Sequence, residues 1–149
     1  MKELLEIMRI ANLILPDFLT RHELELGGRK GVYVFLKETA KRSKNYLTGE
    51  VVGDLPTAKI AEKMRYAFEK LTRLDGDEWL TTFPTQNYAD GKYGGGVRSY
   101  IYLIAVSGFP PHLDHAFAVE VLREAGQLGS VEEKNIQKEF EEYQHTGIS

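Results

Sequence analysis

The chain contains no cysteine. That absence excludes a disulfide scaffold, thiolate metal sites and cysteine nucleophiles together. It also lacks any apolar run near the ~18 residues that a membrane-crossing helix needs. The opening Met1-Lys2-Glu3-Leu4-Leu5-Glu6 carries two acids where a signal peptide is basic and then apolar. The expectation is therefore a cytoplasmic protein with no membrane partner. Charge of one sign is missing as well. The 22 acids and 19 bases leave a net charge of −3, which gives no global attraction to nucleic acid. No internal repeat and no interdomain linker interrupts the chain.

What remains is the composition of an ordinary globular domain. With 149 residues, 42% of them apolar, the chain is long enough to bury a core without a metal or a disulfide.

Hydrophobic spacing gives an outline. Leu4, Met8, Ala11 and Leu15 form one helical stripe over 3–15, with Pro16 as its expected end and 17–26 irregular. Gly27-Gly28 signals a turn. The segment 31–36 then alternates Val32, Val34 and Leu36 against Tyr33 and Phe35, as a central strand does. Residues 46–52 read as a second strand. Pro56 opens a helix with the stripe Ile60, Met64, Ala67, Phe68 and Leu71, stopped by Asp75-Gly76-Asp77. Short and long strands are expected at 78–85 and 97–106, separated by a loop over 87–96. Pro110-Pro111 starts a helix with Leu113, Phe117, Val121 and Ala125 on one stripe. Ser130-Val-Glu-Glu133 has the capping-box pattern for a last helix carrying Ile136, Phe140 and Tyr143. Strands in neighbouring pairs with helices around them point to an α+β fold with an antiparallel sheet.

Four features could carry chemistry, and each has a bland reading beside it. The loop Tyr88-Ala-Asp-Gly-Lys-Tyr-Gly-Gly-Gly-Val-Arg98 combines bare backbone with Lys92 and Arg98, which suits a carboxylate or phosphate. It leads into a strand without Gly-Lys-Ser/Thr, so both nucleotide-loop motifs fail, and a plain hairpin connection competes. His112 and His115 stand three apart at a helix start, where they can share a side and ligate a metal or haem iron. The alternative is a solvated pair. The Lys41-Arg42-Ser43-Lys44 run with Arg29, Lys30 and Lys37 is either a solvated face or an anion site. Ser107 sits between a strand and a helix but lacks the first glycine of a nucleophile elbow, and reads as a polar turn residue. The paired acids Asp75/Asp77 and Glu132/Glu133 fall in turn and cap contexts, and no complete catalytic set is evident.

The stretch from Ser99 through Val106-Ser107-Gly108, Pro110-Pro111 and Asp114 resembles the closing strand–helix segment of the GlcG/HbpS-like family, which includes PduO C-terminal-type domains. The helix from Pro56 and the Gly94-Gly95-Gly96-Val97 approach are similar to the family's central helix and glycine-rich loop. Ala105 departs from the family pattern, which has glycine there. The resemblance implies a GlcG/HbpS-like domain over 1–129 with a helical extension over 130–149. It implies a profilin-like α-β-α sandwich with a central antiparallel sheet, homo-oligomers of dimer size or larger, and haem or corrinoid binding in some members. The expected function is a non-catalytic binding or sensory module for haem or another flat anionic cofactor. Tyr88 and Tyr93 would face the ring, Lys92 and Arg98 its acidic groups, and Gly95, His112 and His115 would complete the site. Two alternatives stay open: a protein-interaction domain with no small ligand, and an enzyme using the glycine loop with His112 as acid or base.

Overall fold

A computed structural model describes residues 1–39 and 45–148. Helix α1 spans Lys2–Arg21 and does not stop at Pro16. A proline there cannot donate to the carbonyl four residues back, at a cost of roughly 3 kcal/mol. Leu15 and Phe18 are buried on either side of it. The Phe18 ring stacks 5.8 Å from Phe109 and meets Phe117 edge-on at 5.1 Å. Burying two such side chains is worth about 3–6 kcal/mol, which outweighs the break. A single short turn, α2 (Glu23–Leu26), follows.

Strands β1 (Lys30–Glu38) and β2 (Leu47–Asp54) pair antiparallel, with Val34 opposite Glu50. Helix α3 spans Thr57–Asp75. Strands β3 (Gly96–Arg98) and β4 (Tyr102–Ser107) close the sheet in the order β2-β1-β4-β3, every neighbour antiparallel. Helices α4 (Pro111–Glu124) and α5 (Ser130–Tyr143) complete the fold.

The expected α-β-α sandwich with a central antiparallel sheet forms. Val32, Val34 and Leu36 of β1 and Ile104 and Val106 of β4 face the main core, shared with α1 and α4. Phe35, Leu103 and Ala105 point the other way, onto Leu71 and Leu74 of α3. The buried face of α3 is rotated from the expected stripe. It presents Ala67, Lys70, Leu71 and Leu74, while Phe68 is 50% exposed against Phe35 and Met64 is exposed.

Two strand expectations fail for stated reasons. Residues 97–106 are not one strand but a tight hairpin. Ser99 makes the turn: its N–H donates to the Tyr102 carbonyl at 2.8 Å, and its hydroxyl accepts from the Tyr102 N–H at 3.0 Å. Residues 78–85 form only a single bridge, Thr81 to Val97. The backbone N–H groups of Leu80 and Thr81 donate instead to the Glu139 carboxylate of α5, at 3.2 and 2.7 Å. Helix α5 also brings Ile136 into the main core, while Phe140 stacks on His115 and Tyr143 meets Trp79. All three residues of the α5 stripe, Ile136, Phe140 and Tyr143, are thus packed within the chain. The Lys41–Lys44 run lies outside the described residues.

Candidate functional site

Three residues of α3 at 3- and 4-residue spacing, Lys63, Tyr66 and Lys70, project toward the end of the sheet where β4 hands over to α4. There they meet Ser107, Gly108 and Phe109 on one side and Tyr88 and Tyr93 of the long loop on the other. Together with Arg29 they enclose a cleft of about 350 Å³. The glycine-rich loop, through Tyr88 and Tyr93, and the strand-to-helix turn at Ser107 to Pro111 therefore converge.

The floor of the cleft is a buried ion pair. Lys70 Nζ lies 3.1 Å from Asp114 Oδ2, with both side chains 2% exposed. Lys70 also donates to the Val106 carbonyl at 2.7 Å. Val106 gives its N–H to the Gly95 carbonyl at 3.0 Å. In an antiparallel ladder the N–H and C=O of one residue point to the same side. The Val106 carbonyl thus lies just past the start of β3 with no strand partner, and Lys70 satisfies it. The second oxygen of Asp114 accepts from the Phe109 N–H at 2.9 Å. Desolvation dominates both charges. It pushes Asp114 up to about 6 and Lys70 below the ordinary lysine range, each opposed by the partner's charge.

The walls are aromatic. Tyr93 meets Tyr66 edge-on at 5.5 Å and Tyr88 at 4.9 Å. Burial, followed by the neighbouring Tyr93, pushes the Tyr88 phenol up, so it stays a neutral donor. Arg73, below the loop, holds it in place by donating to the Thr85 and Tyr93 carbonyls at 2.9 and 2.5 Å. The mouth is cationic, with Arg29 and Lys63 against Glu62.

The residues nominated from sequence divide sharply. Tyr88 and Tyr93 line the cleft. Lys92 is exposed and outside it. Gly95 lies behind the floor. With φ at +128°, a side chain there would come within 2.8 Å of Lys70 Nζ, Asp114 Cβ and the Val106 carbonyl, so its role is to make room for the ion pair. Arg98 is directed away, donating to the Trp79 and Asp77 carbonyls at 3.0 and 2.8 Å and to that of Leu74 at the end of α3. It is a helix-terminus clamp, not a handle for a ligand.

The two histidines do not share a side. His112 is 49% exposed and pairs with Glu25 of α2. His115 is buried, stacked 4.7 Å from Phe140 and edge-on to Phe83, and its Nδ1 has no hydrogen-bond partner among the described residues. Burial alone pushes it down to about 4. Among the described residues no group of three or more acids and histidines is arranged to hold a metal ion. No described helix is long and apolar enough to cross a membrane.

Sequence reasoning missed Lys63, Tyr66 and Lys70. A signal was present: Lys59, Lys63, Tyr66 and Lys70 repeat at helical spacing beside the apolar stripe. A lysine at a core-edge position is ordinarily read as solvated, and only tertiary packing shows that Lys70 is not.

No family model, curated protein or solved structure matches the chain.

Proposed function

We propose that this chain is a non-catalytic binding module whose cleft takes a small, planar organic anion. The observation that carries the reading is the convergence of three tyrosines and two side-chain cations on one concavity with a charge-balanced floor. Tyrosine faces supply contact area for a flat ring. Arg29 and Lys63 at the mouth supply attraction for its acidic group. A volume of about 350 Å³ is at the lower end of small-molecule sites.

Haem fits this reading less well than a smaller ring, because the described lining of the cleft contains no histidine. An enzymatic reading has less support too. Both oxygens of Asp114 are engaged, by Lys70 and by the Phe109 N–H, so neither is poised as a base.

The test is titration with 2-naphthoate beside neutral 2-naphthol, followed by calorimetry and by tyrosine fluorescence. The anion should bind, and Lys63→Ala should weaken it while leaving the neutral compound unchanged. Tyr93→Ala should weaken both by about fivefold, the equivalent of ~1 kcal/mol for an aromatic pair. Haem in the same assay should give no Soret change that depends on His112 or His115. Equal binding of the two naphthalenes, or indifference to both substitutions, would overturn the reading.

A further inference from the structure

A second concavity, of about 380 Å³, adjoins the tyrosine cleft and shares Arg29, Lys63 and Gly108 with it. Its own walls differ in kind. They contain no aromatic ring, and they bring in Lys30 at the start of β1 and Lys59 in the first turn of α3. Gly27, Gly28 and Gly31 contribute bare backbone.

Besides the Lys70–Asp114 pair, the linings of the two hollows taken together carry four cations, Arg29, Lys30, Lys59 and Lys63, against two acids, Asp54 and Glu62. That local excess stands out in a chain whose net charge is −3. Lys59 lies 3.7 Å from Glu62. The side chains of Arg29, Lys30 and Lys63 make no hydrogen bond or ion pair among the described residues. Lys63 instead sits 5.8 Å over the Tyr66 ring, at the boundary between the two hollows. Unpaired like charges gathered at a concave, backbone-lined site raise the local concentration of anions.

A single carboxylate would be met by Arg29 and Lys63 alone. The additional Lys30 and Lys59 suit a group with more charge and more acceptors. A phosphoryl group carries about −1.5 to −2 at pH 7 and three strong acceptor oxygens. We infer that the second concavity seats the phosphoryl group of a ligand whose planar ring lies in the tyrosine cleft, so that the ligand class is a planar aromatic phosphate ester. The inference rests on the proposed function, which assigns the ring to the cleft.

The two are separated by mapping amide shifts in the full chain with three probes. Inorganic pyrophosphate should move Gly27, Gly28 and Lys30, and 2-naphthoate should move Tyr66, Tyr88 and Tyr93. Flavin mononucleotide should move both sets and bind at least tenfold more tightly than riboflavin. The Lys30→Ala/Lys59→Ala double variant should remove that tenfold advantage while leaving riboflavin and 2-naphthoate binding as they were. Naphthoate binding at the tyrosines with no pyrophosphate response at 27–30 would overturn the phosphate site and leave the cleft reading intact. Pyrophosphate binding without any ring probe in the cleft would overturn the joined ligand and the cleft reading together. A flavin advantage that survives the double variant would also refute the assignment.

Discussion

Replacing Lys70 with methionine removes a charge, a donor and little volume from the floor of the cleft. Two groups are left behind in a site 2% exposed: the Asp114 carboxylate and the Val106 carbonyl. Breaking a buried pair by deleting one partner costs about 3–5 kcal/mol, because the other charge stays buried and uncompensated. Asp114→Asn leaves the buried Lys70 without its charge partner and should still cost less. Its side-chain oxygen can still accept from Phe109, and Lys70 keeps the Val106 carbonyl. The double variant Lys70→Met/Asp114→Asn leaves no buried charge, and its main defect is one carbonyl without a donor, at roughly 1–3 kcal/mol. The cycle should therefore be strongly non-additive, with the double variant more stable than Lys70→Met alone. Urea unfolding followed by Trp79 fluorescence and far-ultraviolet dichroism measures all four proteins. pH supplies a second arm. Asp114 already titrates at about 6 because of burial, above its unfolded value. A group with a raised folded pKa contributes stability that is whole below the unfolded pKa and lost as pH rises through the folded one. Loss of Lys70 raises the folded value further, so the gap between wild type and Lys70→Met should be smaller at pH 5 than at pH 8. Additive single variants, or a gap independent of pH, would show that Lys70 and Asp114 are not coupled as described.

Two further outcomes follow from the same region. Gly95→Ala should destabilise by about 3 kcal/mol, from a left-handed backbone and contacts of 2.8 Å with the ion pair. Gly126→Ala, also at positive φ but facing open space, should cost only about 1 kcal/mol; equal melting temperatures for the two variants would refute the packing argument. His115, pushed down to about 4 by burial, has a folded pKa below its unfolded value near 6.5, so the unfolded chain takes up the proton first as pH falls. Its contribution should be whole above pH 6.5 and decline by roughly 3 kcal/mol toward pH 4. Asp114 works in the opposite direction over that window. The readout is therefore the difference in urea midpoint between His115→Phe and wild type, which should grow in favour of the variant as pH drops; a constant difference would refute the burial assignment.

Local pattern was enough to determine the helices, the central strand and the class of fold. The stripes of α1 and α4, the alternation of β1, the prolines that open α3 and α4 and the glycine-rich loop before β3 all appear where short-range chemistry puts them. These features need only neighbours within a few residues, which is why they are legible in one dimension. The failures share the opposite property. Pro16 lies within a helix because Phe18 packs on Phe109 and Phe117, about ninety residues away in the chain. Residues 78–85 are reduced to a single bridge where Glu139 of the last helix takes the N–H groups of Leu80 and Thr81. The apolar alternation of 97–106 runs unbroken through a turn that only the Ser99 hydroxyl marks. His112 and His115 are three apart in sequence, yet the helix sends the first to Glu25 and the second beneath Phe140. Tyr88 and Tyr93 reach the cleft, but its floor comes from a lysine and an aspartate 44 positions apart. Their pairing depends on desolvation, and the sheet and two helices that exclude the water exist only once the chain has closed around them.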